Sequence, residues 1–322
     1  PTRRSSDLIF ERKVTDILIP GGKDYPALIG DDDLPFENAG ILKTTGFELQ
    51  AKWSDKLANG FRYSVGVALS DDKAKVVSYP SNPTNKIGDG VLYKGYTVGD
   101  IWGYVTGGIL QEGDFDGVGA NGKPLYHGPY FKGGQAYPGY IWYQDLDHDG
   151  VITTGLNTVD DPGDRKVIGN NAPRYRYNIT ANFQYKGFDL DLMFQGVGKR
   201  DYWLSSTSSY WGNGAGSWEV YNNSWTPERT DAKFPMYGSG TGSYPQTGYL
   251  LDASYIKLKQ VILGYTFPRA LINKIGLEKL RLNLAAYNLF TISDMPKYYD
   301  ADYLSDAYPP KRTFSVGIQV GF

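Results

Sequence analysis

The sequence contains no cysteine and only two histidines in 322 residues. Without cysteine there is no disulfide framework, no thiol nucleophile and no zinc-thiolate site. His127 and His148 lie in loop-like segments, and no Gly-x-Ser-x-Gly turn accompanies them. A Ser/His/Asp triad is therefore poorly supported. Carboxylate pairs suited to glycoside hydrolysis occur in almost any β protein, so an integral barrel hydrolase ranks below the other hypotheses, and we predict a protein that is not an enzyme.

The chain also lacks any apolar run near the roughly 20 residues that a membrane-spanning helix requires. If the protein lies in a membrane, it must span it as a β-barrel, because an open sheet edge is not tolerated in lipid. The net charge of −2 at pH 7 gives no reason to expect a nucleic acid partner.

Glycine, tyrosine and proline are abundant, with 40, 27 and 18 residues respectively. This composition favours strands, turns and aromatic surfaces over helices, and it predicts an all-β fold. Eight segments are predicted to be strands, most of them alternating apolar and polar residues with a period of two. These segments are residues 9–19, 46–53, 61–69, 175–185, 188–195, 256–265, 280–287 and 313–322.

Local features refine this prediction. The strands 175–185 and 188–195 form a hairpin through Lys186-Gly187, and each is close to the roughly 9–11 residues that a tilted strand needs to cross a bilayer. The apolar phase of 256–265 changes near Lys259-Gln260, which predicts a bulge. We also predict a short helical turn within 267–277 and a short strand pair within 98–110.

The predicted connections alternate strictly between short and long. Residues 54–60, 186–187 and 267–277 are short links, whereas 20–45, 70–173, 197–253 and 291–312 are long. Barrels of the outer membrane show this alternation of loop lengths, with short periplasmic turns and long external loops. The main rival hypothesis is a soluble β-sandwich carbohydrate-binding module, in which the apolar faces would form an inner core.

Residues 1–8 do not resemble a natural start. They read as the translation of a sequencing-adapter oligonucleotide, so we interpret them as a cloning or assembly scar. We expect residues 9–322 to be the C-terminal portion of a longer protein.

Several motifs together resemble one family, the SusC/RagA-type TonB-dependent outer-membrane transporters of Bacteroidota. Their order and spacing carry the resemblance, which extends over nearly all of residues 9–322. The motifs include Thr45-Gly46-Phe47-Glu48-Leu49, Tyr185-Lys186-Gly187-Phe188-Asp189-Leu190, Trp225-Thr226-Pro227-Glu228, Tyr255-Ile256-Lys257-Leu258-Lys259, Leu263-Gly264-Tyr265-Thr266, Asn288-Leu289-Phe290 and Arg312-Thr313-Phe314.

The resemblance implies an antiparallel transmembrane β-barrel of 22 strands in the outer membrane, of which this chain would supply about eight spanning strands with long external loops at 70–173 and 197–253. It implies import of a nutrient, an oligosaccharide or a peptide, together with a SusD-like surface lipoprotein. TonB would act through a plug domain and TonB box that are absent from these residues, so the chain would not transport alone. The remaining expected partners are membrane lipid and the outer-membrane assembly machinery, for which the terminal aromatic Phe322 would be the signal.

The segment Asp145-x-Asp147-x-Asp149-Gly150 has the opening of a calcium loop. Oxygens at alternate positions can converge on a hard cation, and Gly150 permits the sharp turn. Position twelve is Leu156 rather than an acid, so an acidic external turn without metal stays open as the alternative. No other cofactor is expected. The candidate calcium ligands are Asp145, Asp147, Asp149, Thr153 and Asp164.

Aromatic residues are dense in one predicted external loop. Aromatic faces stack on sugar rings, although the same residues could serve loop packing or the membrane interface. The candidate ligand-binding residues are Trp203, Tyr210, Trp211, Trp218 and Trp225. A second set on the strands would face the lumen and touch solute or pair across a hydrated wall: Arg176, Asn178, Asn182, Gln184, Asp189, Asp191, Arg281 and Asn283.

Overall fold

The computed structural model describes residues 2–20, 36–88, 90–203, 218–239, 244–297, 299–304 and 310–322. Its main feature is an eight-stranded antiparallel sheet. In the order in which neighbours are hydrogen-bonded, the strands are β1 (Thr2–Pro20), β2 (Phe36–Lys56), β3 (Arg62–Ser78), β12 (Arg174–Tyr185), β13 (Phe188–Lys199), β16 (Tyr255–Thr266), β17 (Lys279–Ser293) and β18 (Thr313–Gly321). The predicted all-β, antiparallel class with eight long strands is confirmed.

The remaining elements are short and lie in the connections. The short strands are β4 (Asp100–Tyr104), β5 (Thr106–Ile109), β6 (Phe115–Val118), β7 (Pro124–Tyr126), β8 (Tyr130–Phe131), β9 (Ile141–Tyr143), β10 (Val151–Ile152), β11 (Arg165–Asn170), β14 (Asp201–Tyr202) and β15 (Leu251–Asp252). The helices are α1 (Trp218–Asn222) and α2 (Arg269–Ile272), with 3-10 turns at Glu112–Asp114, Thr247–Tyr249 and Asn273–Ile275. No described helix is long and apolar enough to cross a membrane.

Backbone pairing aligns side chains of similar polarity into continuous rows across six neighbouring strands. One row is apolar, and Leu284 and Val316 within it are 54% and 76% exposed. It comprises Tyr63, Phe183, Leu190, Leu263, Leu284 and Val316. On each strand, a residue adjacent to a member of this row belongs to a second row on the opposite face. The side chains of the second row are small or polar. That row comprises Arg62, Gln184, Asp189, Gly264, Asn283 and Gly317.

These rows decide between the two architectures. A sandwich would pack the apolar face against a second sheet, but here large apolar side chains on the long strands are exposed. The described long strands form one sheet instead. Slipping a strand by one residue would turn Arg176 or Asp189 towards the apolar side, where a basic residue at a bilayer midplane costs roughly 2–4 kcal/mol and acids cost less.

The predicted hairpin and bulge are both confirmed. Tyr185 pairs with Phe188, and the two turn residues Lys186 and Gly187 have φ angles of 47° and 88°. Positive φ at both positions is the type I′ geometry that matches strand twist. In β16 the pairing skips Lys259 on both sides, which shifts the apolar phase as the sequence indicated. The helical turn predicted within 267–277 is present as α2 and the following 3-10 turn.

Three local predictions were wrong. The loop predicted over 20–45 is too long, because β2 begins at Phe36; adjacent apolar residues and a register shift at Ile41/Leu42 hide the alternation there. The predicted loop 70–173 begins too early, because the charged end of β3 continues to Ser78. The segments β4 and β5 exist within 98–110 but pair with β11 and β9, not with each other.

The first strand begins at Thr2, so residues 2–8 are paired with β2. In this register Arg3 and Asp7 lie opposite Trp53 and Leu49 on the apolar face, whereas Leu8 lies opposite Glu48. The segment thus lacks the alternation that the neighbouring strands show. Its interpretation as a scar stays a prediction.

Long connections lie at one end of the sheet and share a core. Residues of the connections β3–β12, β13–β16 and β17–β18 pack together on the ends of β13 and β16. Ile141, Phe234 and Ala253 are completely buried there. The described residues of these connections therefore form a packed body fixed to the sheet. The full set of buried members is Tyr104, Ile141, Tyr143, Ile152, Val197, Val220, Phe234, Tyr249, Ala253, Tyr255, Met295, Tyr299 and Ala301.

The two faces can be tested at adjacent positions in the middle of β16. Val261 pairs with Leu192 and Ala286 on the apolar face, and its neighbour Gln260 lies on the polar face. We expect Val261→Arg to lower the free energy of unfolding in lipid vesicles by roughly 2–4 kcal/mol, and Gln260→Arg to change it by less than about 1 kcal/mol. Denaturant titration followed by heat-modifiable gel migration measures both, and equal losses would contradict the assigned faces.

Candidate functional site

The polar face of the sheet holds ionic pairs that reach across strands. Arg281 on β17 forms a salt bridge with Asp189 on β13, although β16 lies between them. The bridge passes over Gly264, where a Cβ atom would clash with both charged groups. Glycine at this position therefore permits the pairing. Asn182 donates a hydrogen bond of 2.5 Å to Asp191, so several predicted lumen-facing residues pair with one another.

A second set of charges holds the rim of the sheet where β3 meets β12. Arg174 donates two hydrogen bonds of 2.5 Å to Asp71, and the backbone N–H of Tyr175 donates to the same carboxylate at 3.1 Å. The neighbouring pair Arg176 and Asp72 is also in contact. These bonds fix the point at which the long β3–β12 connection returns to the sheet.

A buried ionic cluster joins β16 to the β17–β18 loop. Lys257 is 1% exposed, and its Nζ atom lies 2.9 Å from both carboxylate oxygens of Asp300. Lys259 Nζ lies 2.7 Å from Asp302, which also accepts a 2.6 Å hydrogen bond from the Tyr255 hydroxyl. Because a buried ammonium needs a close anion, this loop segment is held against the polar face.

The local electrostatics keep Asp302 ionised. Burial by itself would raise the pKa of this carboxyl group, but hydrogen bonds from Lys259 and Tyr255 and the charge of Lys257 lower it overall. The ion pairs of the cluster are consequently present at neutral pH.

Sequence reasoning missed this cluster. The available signal was the pair of lysines at alternate positions in an otherwise apolar strand, facing an Asp-x-Asp segment. Lys257 and Asp300 are 43 residues apart, so only the folded loop brings them together.

The acidic loop folds as a tight turn on itself. Asp145 accepts hydrogen bonds from the backbone N–H groups of His148 and Gly150 at 2.7 and 2.8 Å. Although desolvation by itself would raise the pKa of Asp145, these bonds lower it overall. Desolvation and the nearby carboxylates of Asp164 and Asp149 raise the pKa of Asp147.

The structure brings together three of the five candidate calcium ligands. Carboxylate oxygens of Asp145, Asp147 and Asp149 lie within 4.8 Å of one another, a spacing that fits oxygens around one Ca²⁺ ion. Asp164 is fully buried and accepts hydrogen bonds from Leu146 N at 2.8 Å and Thr153 N at 2.7 Å. It therefore braces both ends of the loop and is not grouped with the other three. Backbone carbonyl groups and water would have to complete the six to eight oxygens that calcium takes.

The candidate aromatic residues lie in different environments. Trp218 is 77% exposed and contacts Tyr221 edge to face at a ring distance of 5.7 Å. Trp225 is 4% exposed and donates a 2.9 Å hydrogen bond to Gln111, so its indole packs within the loops and is not presented to solute. Trp203 is partly buried against the loop core. Tyr210 and Trp211 lie outside the described residues.

The two histidines and the terminal Phe322 lie at exposed positions or in turns. His127 lies 2.8 Å from Asp116 in an exposed hairpin, and His148 lies in the acidic turn with a φ angle of 63°. Phe322 is 88% exposed just after β18, at one edge of the sheet.

Comparison with known proteins gives relatives along the whole chain. No protein-family model matches it. The chain is 28% identical over 337 residues to the TonB-dependent receptor P3 of Formosa agariphila, and 24% identical over 335 residues to the TonB-dependent receptor SusC of Bacteroides thetaiotaomicron. These matches cover 96% and 97% of this chain but 31% and 29% of the relatives, so the chain spans about a third of their length.

A solved structure shows the same fold. The RagAB peptide importer in its open-open state matches with a TM-score of 0.71 and 19% identity, covering 99% of this chain and 33% of that one. The closed-closed state of the same importer matches with a TM-score of 0.70. Together with the motifs, these findings confirm that the chain is a relative of the SusC/RagA-type TonB-dependent receptors and has the fold of part of their outer-membrane barrel.

Proposed function

We propose that this chain forms part of the wall of a transporter that imports a nutrient across the outer membrane in a TonB-dependent manner. The observation that carries the proposal is the sheet with two different faces. Its apolar rows suit lipid, and its polar rows suit a hydrated lumen. The relatives named TonB-dependent receptors along nearly the whole chain support the same activity.

The packed external loops suit a partner at the cell surface. Their described residues share a hydrophobic core and are tied to β16 through the Lys257 cluster, so this part of the loops presents a fixed surface. We propose that a SusD-like lipoprotein binds over this surface, that TonB acts through a plug and TonB box carried outside these residues, and that Phe322 is read by the outer-membrane assembly machinery.

For the nutrient, we propose an oligosaccharide. The SusC/RagA-type resemblance supports this class, and exposed aromatic residues such as Trp218 offer faces for sugar rings. The solved relative is a peptide importer, so a peptide is the second candidate. Genes next to the transporter gene would narrow the choice, because degradative enzymes for one polymer class are expected there.

The proposed nutrient import and the proposed lipoprotein partner can be tested in the source bacterium. Deleting the transporter gene should abolish growth on one oligosaccharide or peptide mixture while growth on glucose remains, since small sugars do not depend on this importer. An affinity tag on the transporter should recover the lipoprotein encoded beside it from detergent-solubilised outer membranes. Unchanged growth on every tested polymer, or recovery of the protein from the soluble fraction, would contradict the proposal.

We further propose that the Asp145, Asp147 and Asp149 turn binds calcium and thereby stiffens its loop. Three carboxylates with oxygens this close repel one another, so a divalent cation would hold the turn in its folded form.

Limited proteolysis tests the calcium proposal. Chelation should raise cleavage within residues 139–170 by several-fold, and added calcium should reverse the effect. Asp147→Asn should show the high cleavage rate in both conditions, whereas Asp116→Asn, which changes an exposed carboxylate elsewhere in the same long connection, should behave as the unaltered protein does. Identical cleavage with and without chelator would show that the turn is stable without metal.

A further inference from the structure

Four lysines lie together on one face of the sheet, near the end that carries the long connections. Lys13 on β1 pairs with Lys43 on β2, which in turn pairs with Lys75 on β3. In the next row of the same face, Lys73 on β3 pairs with Thr45. Because paired residues on neighbouring strands present their side chains to the same face, four ammonium groups are gathered on a small area. These four lysines are called the lysine patch below.

The lysine patch continues the apolar, lipid-facing side of the sheet. Phe47 lies four residues from Lys43 on the same face of β2 and pairs with Ile9. The intervening positions face inwards, where Leu42 and Val76 pack in a hydrophobic cluster with the β3–β12 connection. The loops therefore cover the inner face of these strand ends and leave the outer face open. Three lysines of the patch are exposed, and Lys43 is partly exposed.

The length of the strands places the lysine patch at the edge of the bilayer. Trp53 and Tyr63 lie at the opposite end of the same face, where the indole N–H donates a 3.2 Å hydrogen bond to the tyrosine hydroxyl. Aromatic residues of this kind mark the membrane interface of a barrel. A tilted strand crosses the bilayer in roughly 9–11 residues, and about ten residues separate Trp53 from Lys43 on β2 and Tyr63 from Lys73 on β3. Both strands thus bring a lysine to the level of the lipid head groups.

The acidic residues in these rows and in the adjacent row are weak counterions for the patch. Glu11 forms a 3.0 Å salt bridge with Lys43, but the two side chains are 58% and 42% exposed, so the bridge contributes little. Asp71 already accepts two hydrogen bonds of 2.5 Å from Arg174. The other three lysines of the patch form no salt bridge within the described part of the chain. Since like charges directly opposite one another destabilise a sheet, a bound anion would stabilise this arrangement.

Acidic residues nearer the ends of the strands are less suitable partners. Asp16 lies within a register shift of β1, and its carboxylate accepts a 3.0 Å hydrogen bond from Thr15. The run Asp31-Asp32-Asp33 belongs to the β1–β2 connection, outside the described residues. Before that connection begins, β1 and β2 continue beyond Lys13 and Lys43 for about seven residues, or roughly 23 Å. The surface beside the patch is instead the one that faces lipid.

We propose that the lysine patch binds phosphate groups of the lipopolysaccharide in the outer leaflet of the membrane. Ammonium groups form charge-assisted hydrogen bonds with phosphate, and long lysine side chains can lie along apolar surface while their charged ends reach the head groups. Basic clusters beside a membrane attract anionic head groups in this way. The whole chain has a net charge of −2, so the attraction is local to the patch. This proposal goes beyond nutrient import, because it concerns the lipid around the wall.

Lipid binding by the purified full-length transporter tests the proposal. The probes are lipid A, which is the phosphorylated membrane anchor of lipopolysaccharide, and lipid A from which phosphate has been removed enzymatically. Native mass spectrometry in a non-ionic detergent gives the dissociation constant of each. Lipid A should bind at least roughly tenfold more tightly than the dephosphorylated form, since the attraction of several lysines to an anionic head group adds up. Added salt should reduce the difference, because it screens exposed charges.

Matched variants assign this preference to the lysine patch. The patch variant carries Lys13→Gln, Lys43→Gln, Lys73→Gln and Lys75→Gln, and should lose most of the preference for lipid A. The control variant loses the same charge from exposed lysines elsewhere and should keep the preference in full. It carries Lys52→Gln, Lys123→Gln, Lys132→Gln and Lys166→Gln. Arginine at the four patch positions should also keep the preference, because a guanidinium group binds phosphate. Heat-modifiable migration of each variant shows that the barrel is folded.

Three outcomes would overturn the proposal: no binding of lipid A by the unaltered protein, equal binding of the two lipid forms, or a preference that persists in the patch variant. Equal binding is also the result expected if the acidic run at residues 31–33 occupied the patch. Each of these outcomes leaves the proposed nutrient import intact, because the growth test on the deletion strain decides that proposal separately.

Discussion

The register between neighbouring strands is the constraint on which the structure depends. Side chains in a strand alternate between faces with a period of two, so a shift of one residue would exchange the faces along an entire strand. The observed pairing places Leu190, Leu263 and Leu284 in one row, and Asp189, Gly264 and Asn283 in the next. One alignment of backbone hydrogen bonds thereby produces a surface for lipid and a surface for water.

The polar face owes its organisation to the same alignment. Gly264 leaves room for Arg281 to reach Asp189 across the intervening strand, which neutralises both charges on the wall. Further along β16, the skipped pairing at Lys259 places Lys257 and Lys259 where Asp300 and Asp302 can reach them. The bulge thus connects the regular sheet to the packed loops.

Local periodicity predicted much of the sheet, but contacts between distant segments could not be predicted. The hairpin at Lys186-Gly187 and the bulge at Lys259 leave marks within a few residues, and both were found from the sequence. The burial of Trp225 against Gln111 depends on segments 114 residues apart, and the Asp300 partner of Lys257 is 43 residues away. For that reason the aromatic candidates could not be sorted by sequence into exposed and buried residues. The closeness of the three aspartates from Asp145 to Asp149 could be predicted because they are near one another in the sequence.

The central claim is that the alternating long strands, β17 among them, present one side to lipid and the other to water. These 322 residues contain no cysteine, so single cysteines can be introduced along β17, and the unaltered full-length protein gives the background labelling. In the full-length protein in native outer membranes, cysteines at Leu282, Leu284 and Ala286 should react with a lipid-soluble thiol reagent and resist a charged one, and those at Asn283 and Tyr287 should do the reverse. Labelling that alternates with every residue confirms the two faces, whereas uniform reaction with the charged reagent along the strand would contradict them.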